Sequence, residues 1–518
     1  MNGAQALITT LVDNGIRVCF ANPGTSEMHF VAALDSVPRM RGVLTLFEGV
    51  ATGAADGYAR MSGDPAAVLL HLGPGLGNGL ANLHNARRAR VPMVVVVGDH
   101  ATYHKRYDAP LESDIDSVAG TVSGWVRRTM SPADIAADTA EAITYSRGEQ
   151  RIATLILPAD VSWTAGAEGA GSVVQQREPV SVDTTSVEEA LRSGEQTAIL
   201  VGGDATRAQG LDAAARLAQA YGVKVFCETF PARLERGAGI AAAERIAYFG
   251  EAAAVQLAGI RQLILAGAAA PVTFFGYPGM PSDLVPENCT VHTLAGPVGA
   301  GAALTGLAAR LTPDTPAPTA PAARPQLPSG PLTSQNAADV IGALLPDRAI
   351  VVDEANTSGI LLPQATAGAP AHDWLTLTGG AIGYALPVAL GAAIAEPDRP
   401  VLCLESDGSA MYTISALWSH GRENLDITTV VYANHAYDIL RIELARVGAQ
   451  SEGSPPGPKA EALLDLTPPA LDFVKIAEGM GVPARRAGTA EELAEALRWA
   501  LDEPGPHLIE AVMPSLAG

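Results

Sequence analysis

The stretch that decides the fold is Arg399-Pro400-Val401-Leu402-Cys403-Leu404-Glu405-Ser406-Asp407-Gly408-Ser409. Its apolar first part predicts a buried parallel strand that ends in a carboxylate and a turn of small residues. A helix-length segment, Ser409–Glu423, follows, and a second apolar run, Ile427–Tyr432, leads to an asparagine. One βαβ unit would therefore place Asp407 and Asn434 at the carboxyl ends of two parallel strands, where open α/β sheets bind ligands.

Asp407 and Asn434 carry the oxygen ligands that magnesium prefers, and magnesium is usually shared with the phosphates of a bound molecule. Together with one backbone carbonyl they would leave room for diphosphate oxygens and a water. An aspartate at the end of a strand can equally cap the helix that follows. This motif alone leaves both interpretations open.

A second motif lies far away in the sequence, at Leu46-Phe47-Glu48-Gly49-Val50-Ala51. A strand over Val43–Phe47 is predicted to end at Glu48, where a helix of small residues begins. Taken alone, Glu48 would be interpreted as an acid that the helix dipole favours. In combination with the metal motif, it indicates a catalytic carboxylate.

On these motifs the chain resembles, over essentially its whole length, the thiamine diphosphate (ThDP)-dependent 2-oxo-acid enzymes. This superfamily includes acetolactate synthase, benzoylformate decarboxylase and pyruvate decarboxylase, and the chain is most similar to acetolactate synthase-like large subunits of actinobacteria. The resemblance implies that Glu48 hydrogen-bonds to the aminopyrimidine of ThDP. It also implies that Asp407, Asn434 and the main-chain carbonyl of Ala436 bind Mg²⁺.

Further cofactor contacts are implied by the same resemblance. The segment Thr378–Pro387 is similar to the one that holds the aminopyrimidine, where the Gly380 carbonyl would accept a hydrogen bond and Ile382 would bend the cofactor. Glycine allows the backbone to approach a ligand closely. Gly408 and Ser409, beside the metal aspartate, complete the expected cofactor-binding residues.

A histidine at the end of a predicted strand bears on the chemistry beyond the cofactor. His71 precedes a glycine-rich segment, Gly73–Asn82, that we interpret as a loop. A histidine there can transfer protons near neutral pH, or it can merely cap the loop. Benzoylformate decarboxylase has a histidine here, and its substrate-contacting serine corresponds to Thr25. Phe275 is a further candidate for substrate contact.

Two more histidines, His100 and His104, follow the predicted strand Met93–Val97. The resemblance places their loop near the mouth of the active site. Histidines of surface loops are usually solvated, so neither is assigned a role.

The chain matches no specific activity of the superfamily in full. The second histidine of benzoylformate decarboxylase is absent, with Gly276 in its place, and the Arg-Gln-Trp segment of acetolactate synthases is replaced by Ile439–Glu443. Overall resemblance favours an acetolactate synthase-like carboligase, which decarboxylates a 2-oxo acid and transfers the acyl unit to an acceptor aldehyde or a second 2-oxo acid. His71 supports the alternative of a non-oxidative decarboxylase. A catalytically silent ThDP-binding paralogue is a third hypothesis, because Ser406 and Ala433 replace the usual glycine and asparagine.

The predicted elements form an α/β fold of three doubly wound, parallel-sheet domains. The expected boundaries are a pyrimidine-binding (PYR) domain over 1–180, a central domain over 185–312, a Pro/Ala-rich linker over 313–331 and a diphosphate- and magnesium-binding (PP) domain over 332–518. Relatives use the central domain for FAD or leave it empty; FAD is possible here but not favoured. Further predicted strands are Val18–Ala21, Ala67–Leu70, Thr154–Leu157, Thr197–Gly202, Lys224–Glu228, Gln262–Ala266 and Thr290–Leu294.

The composition of the 518 residues limits the possible partners and location. A net charge of −21 argues against nucleic acid and anionic membranes as partners. The four cysteines lie far apart, and neither a signal peptide nor a membrane-spanning stretch is apparent, so we expect a cytoplasmic protein with reduced thiols. Because the family builds its site between subunits, the resemblance implies a homodimer or a homotetramer.

Overall fold

The computed structural model describes residues 1–169, 183–277, 279–447 and 457–516. These residues form three α/β units, each built on its own sheet with helices on both faces. The predicted fold class, three doubly wound domains with parallel sheets, is confirmed.

The inner strands of the first unit are continuous apolar runs that are buried on both faces, as expected of a parallel sheet covered by helices. Its elements are α1 (Gly3–Asp13), β1 (Val18–Ala21), α2 (Met28–Ser36), β2 (Arg41–Leu44), α3 (Glu48–Ser62), β3 (Ala66–His71), α4 (Leu72–Ala89), β4 (Met93–Asp99), α5 (Ile115–Gly120), β5 (Trp125–Arg128), α6 (Ile135–Glu149), β6 (Ile152–Pro158) and α7 (Ala159–Trp163). The strand order is β2-β1-β3-β4-β6-β5, with parallel pairings.

The central unit repeats this architecture on a smaller scale. Its elements are α8 (Thr185–Arg192), β7 (Thr197–Val201), α9 (Ala208–Tyr221), β8 (Lys224–Cys227), β9 (Leu234–Arg236), β10 (Glu244–Arg245), α10 (Gly250–Leu257), β11 (Gln262–Ala266), β12 (Thr290–Ala295) and α11 (Ala300–Leu311). The parallel sheet has the order β10-β8-β7-β11-β12. Strand β9 is absent from this sheet because it joins the next one.

The last unit contains the predicted metal motif. Its elements are α12 (Ser334–Leu344), β13 (Ile350–Glu354), α13 (Leu362–Ala365), β14 (His372–Thr376), α14 (Ala385–Ala395), β15 (Val401–Ser406), α15 (Asp407–Thr413), α16 (Ala416–Arg422), β16 (Ile427–Ala433), α17 (Asp438–Arg446), α18 (Pro458–Glu461), α19 (Phe473–Gly479), β17 (Ala484–Ala487), α20 (Ala490–Asp502) and β18 (His507–Val512). The order is β17-β18-β16-β15-β13-β14-β9, and β9 pairs antiparallel to β14 at the edge of an otherwise parallel sheet.

Three expected elements are corrected by the structure. The predicted helix Ser409–Glu423 is two helices, α15 and α16. Strand β2 ends at Leu44, so an extended turn separates it from Glu48. The glycine-rich segment Gly73–Asn82 is part of helix α4, where its glycines allow close packing: a Cβ at Gly79 would lie 2.9 Å from a methyl carbon of Thr52 on α3.

The first and last units share one continuous hydrophobic core in which α3 packs on α14. A Cβ at Gly57 would lie 2.1 Å from the carbonyl oxygen of Val388, and one at Gly391 would lie 1.8 Å from that of Ala54. The two backbones are therefore in direct contact.

All four cysteines are free thiols. Within the described ranges, none of the helices combines the length and the apolar character that crossing a membrane requires.

Candidate active site

The strands of the first sheet end at a group of four polar residues: Thr25, Glu27, Glu48 and His71. Strand β3 turns directly into α4 at His71, because the next residue, Leu72, has φ +47°. This left-handed conformation of a fully buried leucine costs about 1–2 kcal/mol. The turn holds His71 at the corner between strand and helix.

His71 is paired with a buried carboxylate that the sequence analysis missed. Its Nδ1 lies 2.8 Å from Oε2 of Glu27, and the same oxygen accepts the N–H of Gly24 at 2.8 Å. Burial raises the pKa of Glu27, which His71 and the Gly24 N–H oppose. Glu27 directs Nδ1 of His71 towards itself and leaves Nε2 for another partner. Its position two residues after Thr25 was visible in the sequence, but only the fold brings it to His71.

Glu48 is the first residue of α3 and is buried. Its Oε2 accepts a hydrogen bond from the side-chain amide of Asn78 on α4 at 3.0 Å. A Cβ at Gly75 would lie 3.3 Å from both Oε1 of Glu48 and Cβ of His71. Glu48 and His71 therefore both lie next to Gly75, where any larger side chain would contact them.

The predicted metal motif is assembled by β15 and β16. Asp407 is buried, and its carboxylate accepts the N–H groups of Gly408 at 2.8 Å and His435 at 2.6 Å. Asn434 accepts the N–H of Ala436 at 3.1 Å. Burial raises the pKa of Asp407, which the two N–H donors oppose. The three predicted ligands therefore lie together at the carboxyl ends of neighbouring strands.

Ser406, one of the two departures from the family's pattern, belongs to a polar network at the same edge. Its hydroxyl lies 2.8 Å from that of Ser409 and accepts a hydrogen bond from the side-chain amide of Asn356, also at 2.8 Å. Asn356 follows strand β13 and was not predicted as a site residue. Gly408 packs against the ring of Tyr437, where a Cβ would lie 2.3 Å from a ring carbon.

The segment that contains Gly380 and Ile382 runs between the first and last units. The side-chain amide of Asn85 on α4 donates to the Ala381 carbonyl at 2.8 Å, and that of Asn82 donates to the Gly383 carbonyl at 3.2 Å. The Asn82 amide also donates to the carbonyl of Gly49, next to Glu48, at 2.9 Å. One side chain thus connects the start of α3 with the predicted aminopyrimidine segment.

Glu354, another residue that sequence reasoning missed, holds the other side of this segment. Its buried carboxylate accepts the N–H groups of Gly383, Tyr384 and Ala385 at 2.8–2.9 Å. Burial raises the pKa of Glu354 to about 7, although these N–H groups lower it. The segment is therefore anchored from both sides, as a rigid ligand-binding loop requires.

Among the predicted substrate residues, Thr25 is exposed beside Gly24, and a Cβ at Gly24 would lie 2.2 Å from Nδ1 of His71. Phe275 belongs to an aromatic cluster of the central unit and is half exposed. Its neighbour Phe274 contacts Gly380, where a Cβ would lie 2.6 Å from the ring. The central unit therefore reaches the predicted aminopyrimidine segment through its aromatic residues.

The donor atoms fit a magnesium ion shared with a diphosphate. One carboxylate, one amide and nearby carbonyls are hard oxygen ligands, and magnesium usually keeps a few such protein ligands together with waters and phosphates. In the residues that the structure describes, no group of three or more His, Cys, Asp or Glu side chains is arranged to hold a metal. Those residues thus offer no alternative centre of the zinc type.

Comparison with known proteins gives consistent relatives. Residues 1–119 match the N-terminal TPP binding domain of thiamine pyrophosphate enzymes, and residues 362–511 match the C-terminal TPP binding domain. The chain is 73% identical, over the full length of both chains, to a Mycobacterium tuberculosis protein provisionally assigned as acetolactate synthase large subunit IlvX. It is 30% identical to benzoylformate decarboxylase of Pseudomonas aeruginosa, over 96% of each chain. The structure of a thiamine diphosphate-dependent 4-hydroxybenzoylformate decarboxylase from Rhodococcus jostii RHA1 shares the fold, with a TM-score of 0.85 and 23% identity over 100% of both chains.

Replacing Asp407 by alanine tests the metal site. We expect Asp407→Ala to weaken Mg²⁺-dependent binding of ThDP by roughly a hundredfold or more, because neutral oxygens cannot replace a carboxylate ligand. Isothermal titration calorimetry with and without Mg²⁺ measures this effect. Asp398→Ala, at an exposed aspartate of the same unit, is the control and should bind like the wild type. Wild-type affinity in Asp407→Ala would show that Asp407 is not a metal ligand.

Proposed function

Because this chain belongs to the thiamine pyrophosphate enzyme family, we propose that it is a ThDP- and Mg²⁺-dependent carboligase. It decarboxylates a 2-oxo acid and transfers the acyl unit to the carbonyl of an acceptor aldehyde or a second 2-oxo acid. The observation that carries this proposal is that one chain combines a buried Glu48 at a helix start with Asp407 and Asn434 at the ends of adjacent strands. Bound ThDP would supply the electron sink for the loss of CO₂.

Residues of the first and last units would have different roles in binding and activating the cofactor. Asp407, Asn434 and the carbonyl of Ala436 would hold Mg²⁺, which would neutralise the charge of the diphosphate. Glu48 would exchange a proton with the aminopyrimidine through its carboxyl group, and burial and the Asn78 amide keep that group in one orientation. The anchored segment around Gly380 orients the ring.

A decarboxylase that releases an aldehyde is the second candidate, favoured by the Glu27–His71 pair. A carboxylate that orients an imidazole is an arrangement suited to proton transfer. Gly276, in place of the second histidine of benzoylformate decarboxylase, favours transfer to an acceptor, because slower protonation leaves more time for a second carbonyl to react.

We propose that a second copy of the chain completes the site, as a homodimer or within a homotetramer. Large apolar side chains beside the site residues are exposed: Met28 by 45%, Leu46 by 48%, Met411 by 39% and Tyr412 by 57%. Apolar surface concentrated around a site is typical of a protein–protein interface.

The central unit does not fit FAD, and we propose that it binds none. Dinucleotides bind where the strand order reverses, here between β7 and β11, with the pyrophosphate at a helix N-terminus. Asp204 already accepts the Gly299 and Gly301 N–H groups at the start of α11, at 2.7 and 2.8 Å, and Glu235 accepts the Ala208 N–H at the start of α9, at 2.8 Å.

The loops that follow β7 and β11 also close the crevice between these two strands. A Cβ at Gly267, after β11, would lie 2.3 Å from the carbonyl oxygen of Gly202, after β7. A pyrophosphate would have to separate these loops and displace carboxylates of its own charge. Such a binding site is unfavourable both sterically and electrostatically.

Glu48→Gln tests cofactor activation. The amide keeps the shape of the side chain but cannot supply the proton, so ThDP and Mg²⁺ should bind within about threefold of wild type while turnover falls by roughly 10²–10⁴-fold. Calorimetry measures binding, and hydrogen–deuterium exchange at C2 of the thiazolium measures activation. Unchanged exchange at C2 would contradict the role of Glu48.

Replacing His71 by alanine tests whether the acyl unit is released as an aldehyde or transferred to an acceptor. With pyruvate or benzoylformate, each with and without an acceptor aldehyde, we expect aldehyde release to fall more than carboligation. The reason is that an imidazole supplies the proton that aldehyde release needs. Product analysis by chromatography gives the ratio, and His29→Ala, at an exposed histidine of the same unit, is the control. Equal loss of both products would assign His71 to an earlier, common step.

FAD titration tests the central unit. We expect no saturable binding to the ThDP-loaded protein at FAD concentrations up to about 1 mM, which corresponds to a binding free energy weaker than about −4 kcal/mol. Quenching of flavin fluorescence measures binding, and a parallel ThDP titration confirms that the protein is folded. Saturable binding at micromolar FAD that Gly267→Val abolishes would refute the proposal.

A further inference from the structure

Four residues near the turn from β3 to α4, where His71 lies, carry buried polar atoms without a hydrogen-bond partner. Among the described residues, the unpartnered buried atoms include Oε1 of Glu27, Nε2 of His100, Oε2 of Glu112 and Oγ of Ser113. A buried polar atom normally has a partner, and water supplies it where several such atoms share a space.

Sheet register and two close contacts bring the residues that carry these atoms to the end of β3. His71 pairs with Gly98 across β3 and β4, and His100 follows two residues later. A Cβ at Gly98 would lie 1.7 Å from Oε1 of Glu27, so this carboxylate lies directly against β4. On the α4 side, a Cβ at Gly73 would lie 1.8 Å from Oγ of Ser113.

A hydrogen bond and several ion pairs hold the loop that carries His100. Its backbone N–H donates to Asp99 at 2.8 Å, and the fully buried Asp99 carboxylate is paired with Lys105 at 3.2 Å and with Arg128. Lys105 also contacts Glu112 at 2.5 Å. These ion pairs connect the loop of His100 with the segment that carries Glu112 and the neighbouring serine.

The surroundings favour the neutral form of the His100 ring. Burial lowers the pKa of His100, the charges of His104, Lys105 and His71 lower it further, and Glu112 opposes them. A neutral imidazole has one donor and one acceptor nitrogen, so it can accept a proton on one side and release one on the other. The expectation that His100 is merely solvated is therefore incomplete, because its Nε2 is buried.

The proposed reaction needs a proton in every turnover. Release of an aldehyde follows R–CO–COO⁻ + H⁺ → R–CHO + CO₂, in which the electron pair of the broken C–C bond takes up the proton. Ligation follows R–CO–COO⁻ + R′–CHO + H⁺ → R–CO–CH(OH)–R′ + CO₂, in which the new alkoxide takes it up. Whenever the Glu27–His71 pair supplies this proton, the proton must be replaced before the next turnover, and the two side chains are only 1% and 19% exposed.

We propose that His100 is the residue that resupplies them, passing protons to the Glu27–His71 pair through water held by the four unpartnered atoms. This inference rests on the proposed function but not on the choice between carboligation and aldehyde release. His100 is here a second proton-handling residue, drawn from a different loop than the histidine that Gly276 replaces.

The test compares His100→Gln with His104→Gln. Glutamine keeps a polar side chain but cannot exchange protons as an imidazole does, and His104 is a neighbouring histidine whose ring centre lies 5.3 Å from that of His100. In ThDP-free protein with ¹⁵N-labelled histidine, NMR measures the exchange lifetime of the His71 imidazole proton with water. We expect a lifetime at least roughly tenfold longer in His100→Gln and a lifetime within about twofold of wild type in His104→Gln.

Chemical rescue provides the second measurement. His100→Ala should release CO₂ from 2-oxo acids at least roughly tenfold more slowly than wild type, and free imidazole should restore the rate in a saturable manner. Wild-type exchange lifetime and wild-type turnover in His100→Gln would overturn the proposal. If the wild type released no CO₂ from any 2-oxo acid, the proposed function would fail, but the lifetimes would still decide the role of His100.

Discussion

The contact between α3 and α14 is the constraint on which the rest of the structure depends. Helix α3 begins at Glu48, and α14 begins just after the segment that contains Gly380 and Ile382. At their crossing, glycines bring the backbones into contact, so that a Cβ at Gly391 would lie 1.8 Å from a carbonyl oxygen of α3. Since protein interiors are close-packed, any larger residue there would push the first and last units apart. The relative position of Glu48 and the loop is set by this contact.

A buried ion pair on α3 stabilises the contact between the units. Arg60, near the end of α3, contacts Asp56 at 2.7 Å and donates to the carbonyls of Thr376 at 2.7 Å and Ala232 at 3.1 Å. Burial raises the pKa of Asp56, and the guanidinium of Arg60 opposes this effect. Removing one partner of such a pair leaves an uncompensated buried charge and typically costs about 3–5 kcal/mol. Because the two carbonyls belong to different units, one arginine connects all three.

Carboxylates that accept backbone N–H groups recur near the strand ends of this protein. Glu354 anchors the loop before α14, Asp204 caps α11, and Asp407 accepts the N–H groups of two neighbouring residues. The same interaction has two consequences. In the last unit it leaves Asp407 among oxygen donors suited to a cation, whereas in the central unit it occupies the N–H groups that a nucleotide phosphate would need.

Local patterns alone were sufficient to predict several of the buried apolar strands. The run predicted as Ile427–Tyr432 is observed as Ile427–Ala433, because a parallel strand buried on both faces must be apolar along its length. Glu48 begins a helix, as its neighbouring small residues indicated, whereas the helix after β15 begins at Asp407, two residues before the predicted start at Ser409. Such features depend on residues that are close together in the chain, so they can be predicted without knowledge of the fold.

Contacts between residues that are distant in the sequence decided the features that local patterns did not predict. The glycines of Gly73–Asn82 predict a loop, yet they lie in a helix because α4 packs closely on α3, which only a helix without large side chains permits. Glu27 meets His71 across 44 positions, and β9 leaves its own unit to pair with β14. No local pattern encodes these pairings, since each depends on how the sheets and helices pack. The sequence by itself therefore determined the buried apolar strands and the polar residues that follow them, whereas the tertiary structure decided which side chains meet.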